Sequence, residues 1–134
     1  GAGFDSLIGS VGGPLVDLSI LLTARALDSQ YAWSLSEVTA RQVGLSPEVI
    51  DVVRNEAVPT GLEEQVVVLI KFARELFEGR NVSPETYQRA VTLFGERDLV
   101  DLVIVMGQWT GKITMLTAFD QQLPAGVTPT LPLP

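Results

Sequence analysis

Apolar residues at Leu15, Leu18, Leu21, Leu22 and Ala26 recur at three- to four-residue steps, the spacing of one helix face, and predict a helix over residues 14–28. A second helix over 31–43 is predicted to stop at Gly44, the residue type that most readily takes the left-handed conformation beyond a helix. Ser46-Pro47-Glu48 supplies an N-cap hydroxyl, a proline at the first helical position and an acid in the first turn, ahead of Val49, Ile50, Val52 and Val53. That is a short third helix. Residues 62–78 carry Glu63 and Glu64 early and Arg74 late, a charge order that complements the helix dipole. Ser83-Pro84-Glu85 repeats the cap signature before Tyr87, Ala90, Val91 and Phe94, with Gly95 as the stop.

The last predicted helix, 97–119, is apolar on nearly every side between Leu99 and Trp109, which places it at the centre of the fold. Gly107 and Gly111 each cost about 1 kcal/mol relative to Ala in a helix interior, so they predict either close helix packing or a ligand against the backbone. Residues 121–134 hold prolines at 124, 129, 132 and 134, cannot continue a helix, and are expected to lie extended over a partner surface. Residues 1–13, rich in Gly, read as a loop or a trimmed leader. The pattern therefore predicts one all-α domain of about six helices over 14–120, with a leader and a proline-rich tail.

Composition narrows the chemistry. The chain has 134 residues, enough to bury a core without covalent staples. With no Cys and no His it has no disulfide, thiol nucleophile, thiolate site, imidazole ligand or imidazole base. No acidic cluster has the spacing of a carboxylate metal site, and the pattern calls for no cofactor. The formal charge of −7, with its basic residues scattered singly, argues against nucleic acid. No uncharged apolar run reaches the roughly 18 residues of a bilayer span, since 102–117 contains Lys112, so a cytoplasmic protein without membrane attachment is expected.

The blocks Leu18-Ser19-Ile20-Leu21-Leu22-Thr23-Ala24-Arg25, Ser29-Gln30-Tyr31-Ala32-Trp33 and Ala40-Arg41-Gln42-Val43-Gly44-Leu45-Ser46-Pro47-Glu48-Val49-Ile50 resemble, in order and spacing, the carboxymuconolactone decarboxylase family. So do Val82-Ser83-Pro84-Glu85-Thr86-Tyr87, the run from Phe94 to Leu102, and Ala118-Phe119 with Leu123-Pro124; the likeness covers about residues 17–132. The resemblance implies the all-α alkylhydroperoxidase D-like fold, assembly as a homo-oligomer (trimer or hexamer), and an enzyme of small-molecule metabolism. That enzyme would be a lyase or isomerase acting on a carbonyl or carboxylate compound by decarboxylation, isomerisation or ring opening. It also implies more chain before residue 18 than the Gly-rich stretch supplies, as if a segment near 12–16 were missing or the member truncated.

The departures bear on activity. Thiol members work through a Cys-x-x-Cys pair, which this chain lacks. Decarboxylase-like members place a Glu before the motif's Trp and a His three residues after it; here those positions are Ala32 and Ser36 around Trp33. A methyl group moves no proton and an isolated hydroxyl is a poor base, so a non-catalytic ligand-binding or structural protein of the same fold stands beside the enzyme reading. Candidate catalytic residues are Lys112, Ser36 and Glu37, and candidate substrate-binding residues are Trp33, Trp109, Gln108, Tyr31 and Ser29. For Glu37 the requirement is a carboxyl pKa raised by burial, and for Lys112 a buried amine that has lost its proton or an ammonium that holds a carboxylate. The structural alternatives are a packed Trp with satisfied hydroxyls, and a lysine that snorkels to the surface or forms an ion pair. The two tryptophans are expected to line one apolar pocket.

Overall fold

The computed structural model describes residues 12–134, and among them the chain is helical without strands. Six α-helices follow in order: α1 Gly13–Ala26, α2 Gln30–Gln42, α3 Pro47–Arg54, α4 Glu64–Arg74, α5 Pro84–Phe94 and α6 Glu96–Ala118. A π-helical turn, Glu75–Gly79, continues α4. The all-α expectation of about six helices is met, with ends displaced by a residue or two. Of the predicted leader, residues 1–11 lie outside the described residues, and Gly13 already belongs to α1.

Predicted caps form as the sequence dictates. The Ser46 and Ser83 hydroxyls accept from Val49 N–H (3.4 Å) and Thr86 N–H (3.1 Å), each satisfying a first-turn donor that has no partner within its helix. Gly44 and Gly95 follow α2 and α5 with positive φ, as their places after a helix require. The end of α4 differs: the left-handed residue is Arg80, beyond Gly79. This π turn carries Glu75, whose carboxylate accepts from Ser83 N–H (2.8 Å) and the Thr86 hydroxyl (2.6 Å). The turn thereby ties the end of α4 to the start of α5, and these two donors hold the Glu75 carboxyl below its ordinary value.

The centre of the fold is α1, which packs on α2, α3, α4 and α6 and buries every residue from 16 to 25. Two polar residues in that run are satisfied within the helix, Ser19 donating to the Leu15 carbonyl (3.1 Å) and Thr23 to the Ser19 carbonyl (2.8 Å). The sequence pattern put the centre at the last helix instead. α6 lies chiefly against α1 and α5, so it buries one face, Leu99, Leu102, Val105, Met106 and Ile113. Its other face leaves Val100 (51% exposed), Ile104 (50%) and Met115 (60%) in the open, and Phe119 just beyond the helix is 74% exposed. A Cβ added at Gly107 or Gly111 would meet nothing within 4 Å, so the close approach these glycines predict is not made among the described residues. In length and composition α6 meets the minimum for a bilayer span, a property that core helices of soluble folds share.

The capping arrangement gives a direct expectation. Ser83→Ala should destabilise the fold by about 1 kcal/mol, read as a lowered urea midpoint with unchanged slope.

Candidate functional site

Helix α2 starts at Ser29, whose hydroxyl accepts from Ala32 N–H (3.2 Å), and this start puts Trp33, Glu37 and Arg41 on one side at four-residue steps. Trp33 is fully enclosed. Its indole N–H donates to Glu37 Oε1 (3.0 Å), and Arg41 Nε donates to Glu37 Oε2 (3.1 Å). From the last turn of α3, Arg54 donates to Glu37 Oε1 and to Asp51, and its guanidinium lies 5.7 Å from the centroid of the Trp33 ring. Burial opposes ionisation of Glu37, but hydrogen bonds from Arg54 and Arg41 outweigh it and hold the carboxyl below its ordinary value. Arg54 is shifted up: burial opposes its charge, and the carboxylates of Glu37 and Asp51 overcome that. A general base near neutral pH needs the opposite shift at Glu37. Ser36 is buried on the same helix.

Three of the candidate residues meet elsewhere. Tyr31, Trp109 and Lys112 line an open groove of about 490 Å³ with Met115, Leu116, Phe119 and Gln121, between the start of α2 and the end of α6. Lys112 is exposed, and its Nζ sits 4.5 Å from the centroid of the Trp109 ring, a cation held on an aromatic face. Ser29 lines an adjoining groove of about 320 Å³ that shares Leu116 and Gln121. Gln108 is exposed and is not among the lining residues of either groove. The tryptophans are therefore separated in role: Trp109 faces the groove, while Trp33 is enclosed in the helix core. The groove supplies aromatic faces, a thioether and one ammonium, a combination able to hold a small planar anion.

The proline-rich tail closes over the other side of α2. Thr130 N–H donates to Ser34 Oγ (3.0 Å), Leu131 N–H donates to Gln30 Oε1 (2.8 Å), and Gln30 Nε2 returns a bond to the Leu131 carbonyl (2.8 Å). Arg54 Nε donates to the Thr130 carbonyl (3.1 Å) and Arg25 Nη1 to the Pro132 carbonyl (3.0 Å), while the Leu131 side chain is 3% exposed. The expected covering of a partner surface is thus made, for residues 130–132, on this chain's own α1, α2 and α3. Sequence reading missed Gln30, Ser34 and Arg54 as tail-binding groups, because nothing local marks a helix polar residue for a segment about a hundred positions away. It also missed Asp17, buried on α1, where burial pushes the carboxyl up.

Comparison of the chain with protein-family models, with curated proteins and with solved structures finds no match.

Two carboxyls give opposite pH signatures. Glu37 ionises more readily folded than unfolded, so its contribution is complete above the ordinary glutamate pKa of about 4.3 and is lost as pH falls through its lower folded value. Glu37→Gln should cost about 2 kcal/mol at pH 7, because it removes the charged acceptor shared by Arg54 and Arg41 while Asp51 still balances Arg54, and the deficit should shrink in acid. Asp17, shifted up, destabilises the fold at neutral pH, a penalty that disappears below the ordinary aspartate pKa of about 3.9. Asp17→Asn should raise the urea midpoint at pH 7 and leave it little changed in strong acid.

Proposed function

We propose that this protein is a non-catalytic ligand-binding member of the carboxymuconolactone decarboxylase-like fold, cytoplasmic and homo-oligomeric as a trimer or hexamer. Its ligand is a small planar carboxylate or carbonyl compound, bound in the groove of Tyr31, Trp109 and Lys112. One observation carries this reading. The candidate acid on α2, Glu37, is occupied by Trp33, Arg41 and Arg54, whereas the groove joins an ammonium to aromatic faces open to solvent. Assembly is supported by the uncovered apolar face of α6, an arrangement that monomeric surfaces seldom carry. A second reading, an enzyme that decarboxylates, isomerises or ring-opens such a compound, is favoured by the primary amine of Lys112 beside that groove, with no cofactor needed.

Benzoate tests the site. It should quench tryptophan emission in a saturable way, and Trp109→Phe should abolish the response although Trp33 remains. Lys112→Met should weaken binding by about fivefold to tenfold, the loss of roughly 1 kcal/mol of cation contacts. Absence of saturable quenching by benzoate and by neutral aromatic carbonyl compounds would sink the groove as a ligand site. Turnover of any such compound that is abolished in Lys112→Met would replace the first reading by the second.

A further inference from the structure

The tail-binding slot recognises a peptide by its main chain. Across residues 129–132 the prolines at 129 and 132 have no N–H, and the two remaining N–H groups are both used, one by Ser34 and one by Gln30. The carbonyls of 130, 131 and 132 are held by Arg54, Gln30 and Arg25 in turn. The Gln30 side-chain amide exchanges two bonds with Leu131, as a neighbouring strand would. Both guanidiniums are already balanced by carboxylates, Arg25 by Asp28 and Glu56, and Arg54 by Glu37 and Asp51. Their free donors therefore suit neutral carbonyls better than a second anion.

All of these groups belong to α1, α2 and α3 and none to α6 or to the segment that joins α6 to the tail. Between Phe119 and Pro129 only Leu123 and Val127 are partly buried, so the path of the connection contributes little to the binding. The ten residue steps from Phe119 to Pro129 reach at most roughly 35 Å at full extension. The connection springs from the end of α6, where Met115 and Phe119 continue the uncovered apolar face.

We propose that the tail is an exchangeable arm: the slot on α1, α2 and α3 also receives the Pro-Thr-Leu-Pro segment, residues 129–132, of a second copy of this chain packed along the open face of α6. Exchange keeps each hydrogen bond and the burial of Leu131 unchanged, so only the connection and the concentration of chains decide between closed and exchanged forms.

The absence of cysteine from the sequence makes single cysteines unambiguous reporters. Full-length chains carrying Ser34→Cys alone are mixed with chains carrying Thr130→Cys alone and treated with a short bismaleimide. Exchange yields a covalent dimer joined between positions 34 and 130, its yield rising with protein concentration. Adding Leu131→Asp to the arm donor should lower that yield about tenfold or more, since it places a charge in the buried leucine site. A chain carrying both cysteines reports whether the slot is still engaged. Internal linkage there, with no 34–130 link between singly substituted copies from micromolar to millimolar protein, would overturn the exchange and leave a strap on its own chain. Linkage in neither preparation would overturn recognition of the arm by the slot altogether.

Discussion

The Glu37 carboxylate is the group on which much of the rest depends. An ionised acid with little solvent must be surrounded by donors, and here three donors come from two helices: Trp33 and Arg41 on its own helix, and Arg54 from α3. Satisfying that charge fixes the rotamer of Trp33 in the core and the approach of α3 to α2. Arg54, once anchored, has one further donor aimed at the Thr130 carbonyl, so the same charge that organises the core also builds one side of the tail slot.

This arrangement limits the chemistry available on α2. Ala32 and Ser36 offer neither an acid nor a strong base beside Trp33, and the guanidinium partners of Glu37 stabilise its ionised form. The groove at the end of α6 is a different kind of place, open and lined by Trp109, Tyr31 and Phe119 with one ammonium above an indole face. Binding needs only what is present there.

The two faces of α6 follow from one constraint, the number of neighbours a helix has. α1 is enclosed by four helices and so is buried along ten consecutive positions, with its two hydroxyls turned onto its own backbone. α6 is also largely apolar but has one well-packed side. Its glycines at 107 and 111 stand on the open side with free space above them, and the tail that begins just past Phe119 folds back on the first three helices.

Local signals in the sequence determined the helices and their ends. A Ser-Pro-Glu start and a following glycine act through bonds within a few residues, so 46–48, 83–85, Gly44 and Gly95 were legible before any packing was known. The side chains of the site were legible only in part. Tyr31, Trp109 and Lys112 were identified by type, and tertiary structure brought those three together while enclosing Trp33, Ser36 and Glu37 in the core. Periodicity reports which positions on a helix are apolar and is silent on how many neighbours will cover them, which is why α1 and α6 exchanged places as the centre. The pairing of Glu37 with Arg54, and of Gln30 and Ser34 with the tail, joins residues from 17 to about 100 positions apart. No local propensity encodes such a pair, because its energy exists only once the chain has folded and water has been removed from around the charges.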